Sequence, residues 1–123
     1  MKKILVVFLT MIFVFNGIMY AQYKFVTLWD DGQHLGSNIY LYYGRDVTYD
    51  NNGKEIHREN HFSKYKFVNN NPVGVYKVCY ELKKSNGDYG GYYCTSDIAS
   101  GKYSGPTGLP KGDYVSTYEI IKK

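Results

Sequence analysis

The sequence has few of the residues that usually indicate chemistry or a membrane span. Its 123 residues include only two cysteines, three prolines and one tryptophan. Beyond residue 21, no apolar run approaches the roughly 20 residues that a membrane-spanning helix needs. No stretch there repeats apolar residues with the period of a helix. These absences exclude a helical bundle and leave a β protein as the prediction.

The chain also lacks a large excess of positive or negative charge. The formal net charge is +4, from 15 Lys and Arg against 11 Asp and Glu, and the charges are spread along the chain. A nucleic-acid-binding domain usually carries a clustered basic patch. The sequence therefore predicts neither nucleic acid nor an anionic membrane surface as the partner.

The first 21 residues have the order of a secretory signal peptide. Two lysines are followed by an apolar stretch at residues 4–15 and by a small-residue site that ends at Ala21. We therefore expect residues 1–21 to be removed and residues 22–123 to form one secreted or periplasmic domain, with no membrane insertion after cleavage. An uncleaved anchor is the alternative, although the apolar stretch is short for a span.

Tyrosine is abundant in the exported part. Fourteen of the 15 tyrosines lie beyond residue 21, and tyrosine favours strands. Short β-type runs alternate with turn residues such as Gly44, Asn52-Gly53 and Asn86-Gly87. The predicted fold class is all-β: a single small antiparallel domain whose meander closes as a small barrel or a sandwich. The predicted strands cover residues 23–29, 38–43, 45–50, 54–59, 62–68, 75–82, 91–95 and 114–121.

The two cysteines predict a disulfide across a hairpin. In an oxidising compartment an isolated pair is most simply a disulfide. A two-residue turn at Asn86-Gly87 places Cys79 directly opposite Cys94, at a separation that a disulfide can bridge. Paired glycines at Gly90-Gly91 are typical of a bulge, which would disturb this register. The register also predicts two further pairs, Tyr80 with Tyr93 and Val78 with Thr95.

A second hairpin has two possible registers. A two-residue turn pairs Tyr49 with Ile56, which favours packing. A three-residue loop with Gly53 in the left-handed region pairs Asp50 with Lys54, which favours charge pairing.

One short cluster suggests a metal. On a strand, His57, Glu59 and His61 point to one side, so two imidazoles and a carboxylate could converge on zinc. The sequence offers no fourth ligand, and a solvated strand face is the simpler interpretation. No serine lies in the Gly-x-Ser-x-Gly setting of a hydrolase nucleophile. The prediction is therefore a protein that is not an enzyme and holds no cofactor.

The segment from Ser96 to Asp113 is the main predicted binding feature. It is longer than a connection in a compact domain needs, and such loops are often functional. Tyr103 and Leu109 supply apolar anchors among Gly, Ser and Pro, a composition that suits recognition. An irregular crossover to the last strand is the alternative. We expect Tyr103, Leu109 and Lys111 to be largely exposed.

Three short strings in the chain resemble the periplasmic C-type lysozyme inhibitor family. They are Asp30–Leu35, Ala99–Tyr103 and Lys111–Asp113, in the order of that family. In the family, a Ser-Gly-x-Tyr loop and a Lys-Gly strand enter the lysozyme active site. The resemblance implies that Ser100 and Lys111 are the inserted residues. Trp29 stands where the family has a cysteine, and the middle of this chain is longer.

The leading hypothesis is a non-enzymatic exported domain that binds a protein or another extracytoplasmic macromolecule. The predicted contacts are exposed tyrosines and the 96–113 segment, with Ser100, Tyr103, Leu109 and Lys111 as the candidate residues. An inhibitor of a secreted hydrolase, either a peptidase or a lysozyme, is the alternative. A structural or surface-assembly subunit with a free strand edge near residues 114–121 is a further alternative.

Overall fold

The structure, a computed structural model, describes residues 14–15, 18–19 and 23–123. The predicted signal peptide at residues 1–21 thus lies almost wholly outside the described residues. In the described part of the chain, no helix has the length and apolar character to cross a membrane. Two short strands near the start, β1 (Val14–Phe15) and β2 (Ile18–Met19), pair antiparallel.

The remaining strands form two antiparallel sheets, which confirms the predicted all-β class. The six-stranded sheet has the order β10-β7-β5-β3, with β4 and β6 also paired to β5, and the three-stranded sheet has the order β9-β8-β11. Within residues 23–123 the sheets do not close into a barrel. The strands are β3 (Lys24–Trp29), β4 (Gln33–Gly36), β5 (Ile39–Tyr49), β6 (Glu55–Arg58), β7 (Lys64–Asn69), β8 (Tyr76–Lys83), β9 (Tyr89–Cys94), β10 (Tyr103–Gly108) and β11 (Tyr114–Lys122).

Three strand predictions differ from the structure. The short strand β4 lies at residues 33–36, where no strand was predicted. The predicted strands at 38–43 and 45–50 are one strand, β5, and Gly44 pairs with Lys64 inside it instead of forming a turn. The aromatic and β-branched residues on both sides of Gly44 favour a strand more than one glycine opposes it. The segment predicted as a single loop at 96–113 contains β10, whose Ser, Gly and Pro content is typical of a loop.

The described chain divides into two compact units. The larger unit comprises Leu28–Arg45 and Glu59–Lys123, and it contains the hydrophobic core. Inside it, the rings of Tyr65 and Phe67 on β7 lie 5.7 and 4.9 Å from the ring of Tyr80 on β8. The two sheets therefore pack face to face there. The buried core residues are Leu35, Ile39, Leu41, Tyr65, Phe67, Val78, Tyr80, Leu82, Ile98 and Leu109.

The smaller unit contains the hairpin between the end of β5 and β6. The Asp50 N–H donates to Lys54 O at 2.8 Å, and Gly53 is left-handed with φ of 81°. The loop therefore has three residues, as one of the two alternatives predicted. A bulge between Thr48 and Tyr49 then shifts the pairing to Thr48 with His57 and Val47 with Arg58, which is the register of the other alternative. The Asp50 carboxylate stabilises the loop by accepting the N–H groups of Asn52 and Lys54, each at 2.9 Å.

The cysteine hairpin reaches its predicted register by two deviations that cancel. Its loop has three residues, because Lys84 and Asp88 close it through an N–H···O bond of 2.8 Å, so the predicted two-residue turn is wrong. A bulge between Tyr89 and Gly91, at the paired glycines that were the risk to the predicted register, then shifts the pairing by one residue in the opposite sense. The resulting pairs are Cys79 with Cys94 and Tyr80 with Tyr93, and the Thr95 N–H donates to Val78 O at 2.8 Å.

Cys79 and Cys94 form the predicted disulfide. Cys79 is buried but lies outside the hydrophobic core cluster, whereas its neighbours Val78 and Tyr80 belong to it. The bridge therefore joins the strands on the face turned away from the core, as strand alternation predicts. A disulfide is compatible with an oxidising compartment.

The bulge generates a test. A Cβ at Gly90 would lie 3.0 Å from the Leu82 carbonyl oxygen, which belongs to the backbone and cannot easily move. Gly90→Ala should lower the free energy of unfolding by about 1 to 3 kcal/mol, as overpacking usually does. Gly108→Ala is the matched control, because a Cβ there meets nothing within 4 Å. Urea denaturation of the oxidised proteins measures both, and equal stabilities would contradict the bulge geometry.

Candidate functional site

Asn69, the last residue of β7, is a fully buried polar residue that ties two loops together. Its Nδ2 donates to Gly74 O at 3.0 Å and to Ile98 O at 2.9 Å. Its backbone N–H donates to Lys102 O, and its carbonyl accepts the Gly101 N–H, both at 2.9 Å. Buried polar groups left unpaired are costly, so these bonds fix the loops at 70–75 and 96–102.

Asn71 extends the bonding to a third loop. Its N–H and its Nδ2 both donate to Asn69 Oδ1 at 2.9 Å, and Nδ2 also donates to Ser37 O at 2.6 Å. The Ser100 hydroxyl donates to Asn71 O at 2.5 Å. We call Ser37, Asn69, Asn71 and Ser100 the asparagine network. It makes one rigid unit of three loops at the same end of the two sheets.

The four predicted binding residues differ in exposure and in their surroundings. Tyr103 is 57% exposed and Lys111 is also exposed, which confirms the exposure expected of both. Leu109 is only 6% exposed and belongs to the core, so its predicted exposure is wrong. The Leu109 N–H donates to Ser63 O at 2.8 Å, which holds the chain against the core after β10. Ser100 is half-buried in the asparagine network.

Aromatic side chains cover the outer face of the six-stranded sheet in the larger unit. On β7, Tyr65 and Phe67 point into the core, so the intervening Lys66 points outward. Lys66 pairs with Tyr42 on β5, and Tyr103 on β10 pairs with Val68 of β7 on the same side. We define the aromatic face as Trp29, His34, Tyr40, Tyr42, Lys66 and Tyr103.

The ammonium of Lys66 lies among three rings of this face. Its Nζ is 4.3 Å from the ring centroid of Trp29, 5.0 Å from that of Tyr103 and 5.6 Å from that of Tyr42. All three distances are within the range of cation–π attraction. Among residues 23–123, no hydrogen-bond acceptor or carboxylate partner of this ammonium is found.

The rings of the aromatic face are held in place from the sides. A Cβ at Gly32 would lie 2.5 Å from Cζ of Tyr42, so only glycine lets the chain approach this ring so closely. The ring of Tyr40 lies 6.5 Å from that of Tyr42 and 5.0 Å from that of His34. The face is therefore preorganised as a row of neighbouring rings.

Other tyrosines have different roles. Tyr65 and Tyr80 are buried, with their hydroxyl oxygens 2.7 Å apart, and burial raises the pKa of both above the ordinary value. They remain protonated and serve the core. Tyr118 is partly exposed but donates its hydroxyl to Leu35 O at 2.9 Å. Three exposed tyrosines belong to β9: Tyr89, Tyr92 and Tyr93.

The predicted metal cluster receives no support from geometry. In the described part of the chain, no group of three or more His, Cys, Asp or Glu side chains could hold a metal ion. His61 Nε2 lies 3.7 Å from Glu59 Oε2. His57 lies on β6 in the smaller unit.

The aromatic face was not predicted as a site from the sequence. Four of its six residues lie between positions 29 and 42, and the other two, Lys66 and Tyr103, are far along the chain. Strand alternation in Tyr40-Leu41-Tyr42 and in Tyr65-Lys66-Phe67 is the signal that could have placed its centre. The contribution of Trp29 and Tyr103 depends on which strands are neighbours, which alternation does not reveal.

Comparison with known proteins gave no match to a family model, a curated protein or a solved structure. The resemblance to lysozyme inhibitors thus depends on the three short strings alone.

The asparagine network generates a second test. Asn69→Ala would leave the carbonyls of Gly74 and Ile98 without their donor, so we expect a loss of about 2 to 3 kcal/mol of stability. Asn51→Ala, at an exposed loop position, should change stability by less than about 0.5 kcal/mol. Urea denaturation measures both. Hydrogen exchange should also show faster exchange of the Gly101 amide in the Asn69 variant, and unchanged protection would contradict the role of the network.

Proposed function

We propose that this chain is an exported, non-enzymatic domain that binds another macromolecule through the aromatic face and the adjoining 96–113 segment. The observation that carries the proposal is the preorganised row of rings around Lys66, with Tyr103 more than half exposed at its border. Tyrosine and tryptophan are the side chains that most often dominate binding energy at interfaces. Each offers a large apolar surface with a polar tip and loses little entropy when it is bound.

Exposed aromatic residues that adjoin one another support binding more than scattered ones do. Single exposed apolar side chains are normal on a protein surface. Contiguous patches with a polar rim commonly mark interaction sites. The aromatic face is of the second kind, because each of its rings has another ring or Lys66 as a neighbour. His34 and Tyr103 are exposed, and the other three rings are half-buried.

The 96–113 segment adds a rigid border to this face. The asparagine network fixes residues 96–102, and β10 then pairs with β7 and places Tyr103 beside Lys66. Rigid surfaces lose less conformational entropy on binding, which increases affinity. Export is supported by the order of residues 1–21 and by the disulfide.

An inhibitor of a secreted hydrolase is the second candidate, and the held loop at 96–102 favours it. Tight inhibitors usually present a preorganised segment. Lys111 is exposed and available for insertion, whereas the Ser100 hydroxyl already donates to Asn71 O. An assay of lysozyme and of secreted peptidases with the purified domain tests this candidate, and Lys111→Ala should abolish any inhibition found.

A surface-assembly subunit is the third candidate. β11 is nine residues long and lies at the edge of the three-stranded sheet, where it pairs with β8. A free strand edge can pair with another chain. Concentration-dependent oligomers of the mature domain would favour this candidate.

The proposed function predicts a specific loss on truncation of Tyr103. Tyr103→Ala should leave the melting temperature nearly unchanged, because the side chain is largely exposed, and should weaken partner capture by at least about tenfold. Immobilised mature domain is incubated with culture supernatant and envelope fractions, and the captured material is quantified. Tyr114→Ala, another exposed tyrosine, should capture as much as the original sequence. Full capture by Tyr103→Ala would refute this face as the binding site.

A further inference from the structure

The ammonium of Lys66 has hydrogen-bonding capacity that the described residues do not use. An ammonium carries three N–H donors. The three ring faces attract its positive charge but accept no conventional hydrogen bond, and the described residues supply no acceptor. Lys66 is half-buried, and the three rings hold its ammonium in place. Its N–H donors can therefore bind an anion. Such charge-assisted hydrogen bonds to a carboxylate are among the stronger polar contacts.

The surroundings of Lys66 are basic and aromatic. β7 contains Lys64 and Lys66, and neither β7 nor β10 contains an aspartate or glutamate. Lys102, which precedes Tyr103, is exposed. The nearest acidic residues in the chain are Asp30 and Asp31, which follow Trp29, and Asp46, which lies four residues beyond Tyr42 on β5. The centre of the aromatic face therefore favours a ligand with negative charge over a neutral or basic one.

The position of the face within the sheet argues against a peptide added as a strand. β5 and β7 are both interior strands, paired on each side. Their backbone donors and acceptors are used within the sheet, so recognition at Tyr42 and Lys66 must come from side chains, although β10, which carries Tyr103, is an edge strand. Rings arranged side by side suit a polymer of similar units, each with a flat C–H surface and polar edges. Sugars have this character, and their polarised C–H groups are attracted to ring faces as the Lys66 ammonium is.

We infer that the aromatic face is a receptor for a carboxylate-bearing polysaccharide, in which sugar units lie on Tyr103, Tyr42 and Tyr40 and one carboxylate accepts hydrogen bonds from Lys66. This inference rests on the proposed function and names its ligand class. Trp29 forms one wall of the Lys66 site and is the single tryptophan of the chain. Its fluorescence therefore reports on this site alone.

The test is a fluorescence titration of the mature, oxidised domain with polygalacturonate, with neutral dextran and with poly-glutamate. We expect saturable change of Trp29 emission with polygalacturonate, weakening as salt is added, and little change with the other two polymers. Lys66→Met keeps the aliphatic stem but removes the charge and the donors. It should raise the apparent Kd for polygalacturonate by about 10-fold or more.

Matched controls separate charge, ring and folding effects. Lys122→Met makes the same charge change on β11 and should leave the Kd within about 2-fold, which is the usual range for a remote surface change. Tyr103→Ala should weaken binding, and Tyr114→Ala should not. Thermal melting of each variant identifies any that fails to fold. For Lys66, the milder variant Lys66→Gln then replaces Lys66→Met, with the same expected loss.

Several outcomes would overturn the inference. They are equal Kd values for Lys66→Met and Lys122→Met, equal binding of dextran, or no binding of polygalacturonate at all. Binding of poly-glutamate as tight as that of polygalacturonate would replace the glycan with an acidic protein partner. If polygalacturonate fails while partner capture still depends on Tyr103, the inference falls and the proposed function stands. If capture does not depend on Tyr103, the proposed function itself falls.

Discussion

The need to satisfy one buried amide orders much of this structure. Asn69 is fully buried, and its side chain bonds with Gly74, Ile98 and Asn71. It ends β7, the strand whose inward residues build the core and whose outward Lys66 lies among the rings of the aromatic face. The core-facing and the outward-facing side chains of β7 thus both depend on the bonds of Asn69. A shift of β7 would disturb the packing of the sheets and the site together.

Tyrosine performs opposite tasks in this domain according to the side of the strand on which it lies. Tyr65 and Tyr80 satisfy each other through their hydroxyls at 2.7 Å in the core. Tyr42 and Tyr103 turn ring faces toward an outward lysine. The amphipathic ring makes both possible, since it is apolar enough to pack and polar enough to remain at the surface. An unusually tyrosine-rich composition can therefore supply a core and a binding face at once.

The sequence was sufficient for the features that depend on nearby residues, and insufficient for those that depend on neighbouring strands. The all-β class followed from alternation, and a three-residue loop at Asp50 was one of the two alternatives that turn chemistry predicted. The Cys79–Cys94 pairing was predicted from a two-residue turn that the hairpin does not have, and it holds because the bulge offsets the third loop residue. The burial of Leu109 could not be predicted, because the core that covers it comes from distant parts of the chain. The aromatic face could not be predicted for the same reason. Its rings meet only because β10 lies beside β7 and Trp29 lies near Lys66.

The two deviations in the cysteine hairpin, which cancel, constrain how the length of this hairpin can change during evolution. The extra loop residue at 85–87 and the bulge at Gly90 each displace the strands by one position, in opposite senses. Losing either residue alone would move Cys79 away from Cys94 and turn the core side chains of one strand toward solvent. Losing both together would preserve the register. Length variation in this hairpin should therefore be inherited in pairs, so that a shorter relative lacks the bulge and the third loop residue simultaneously.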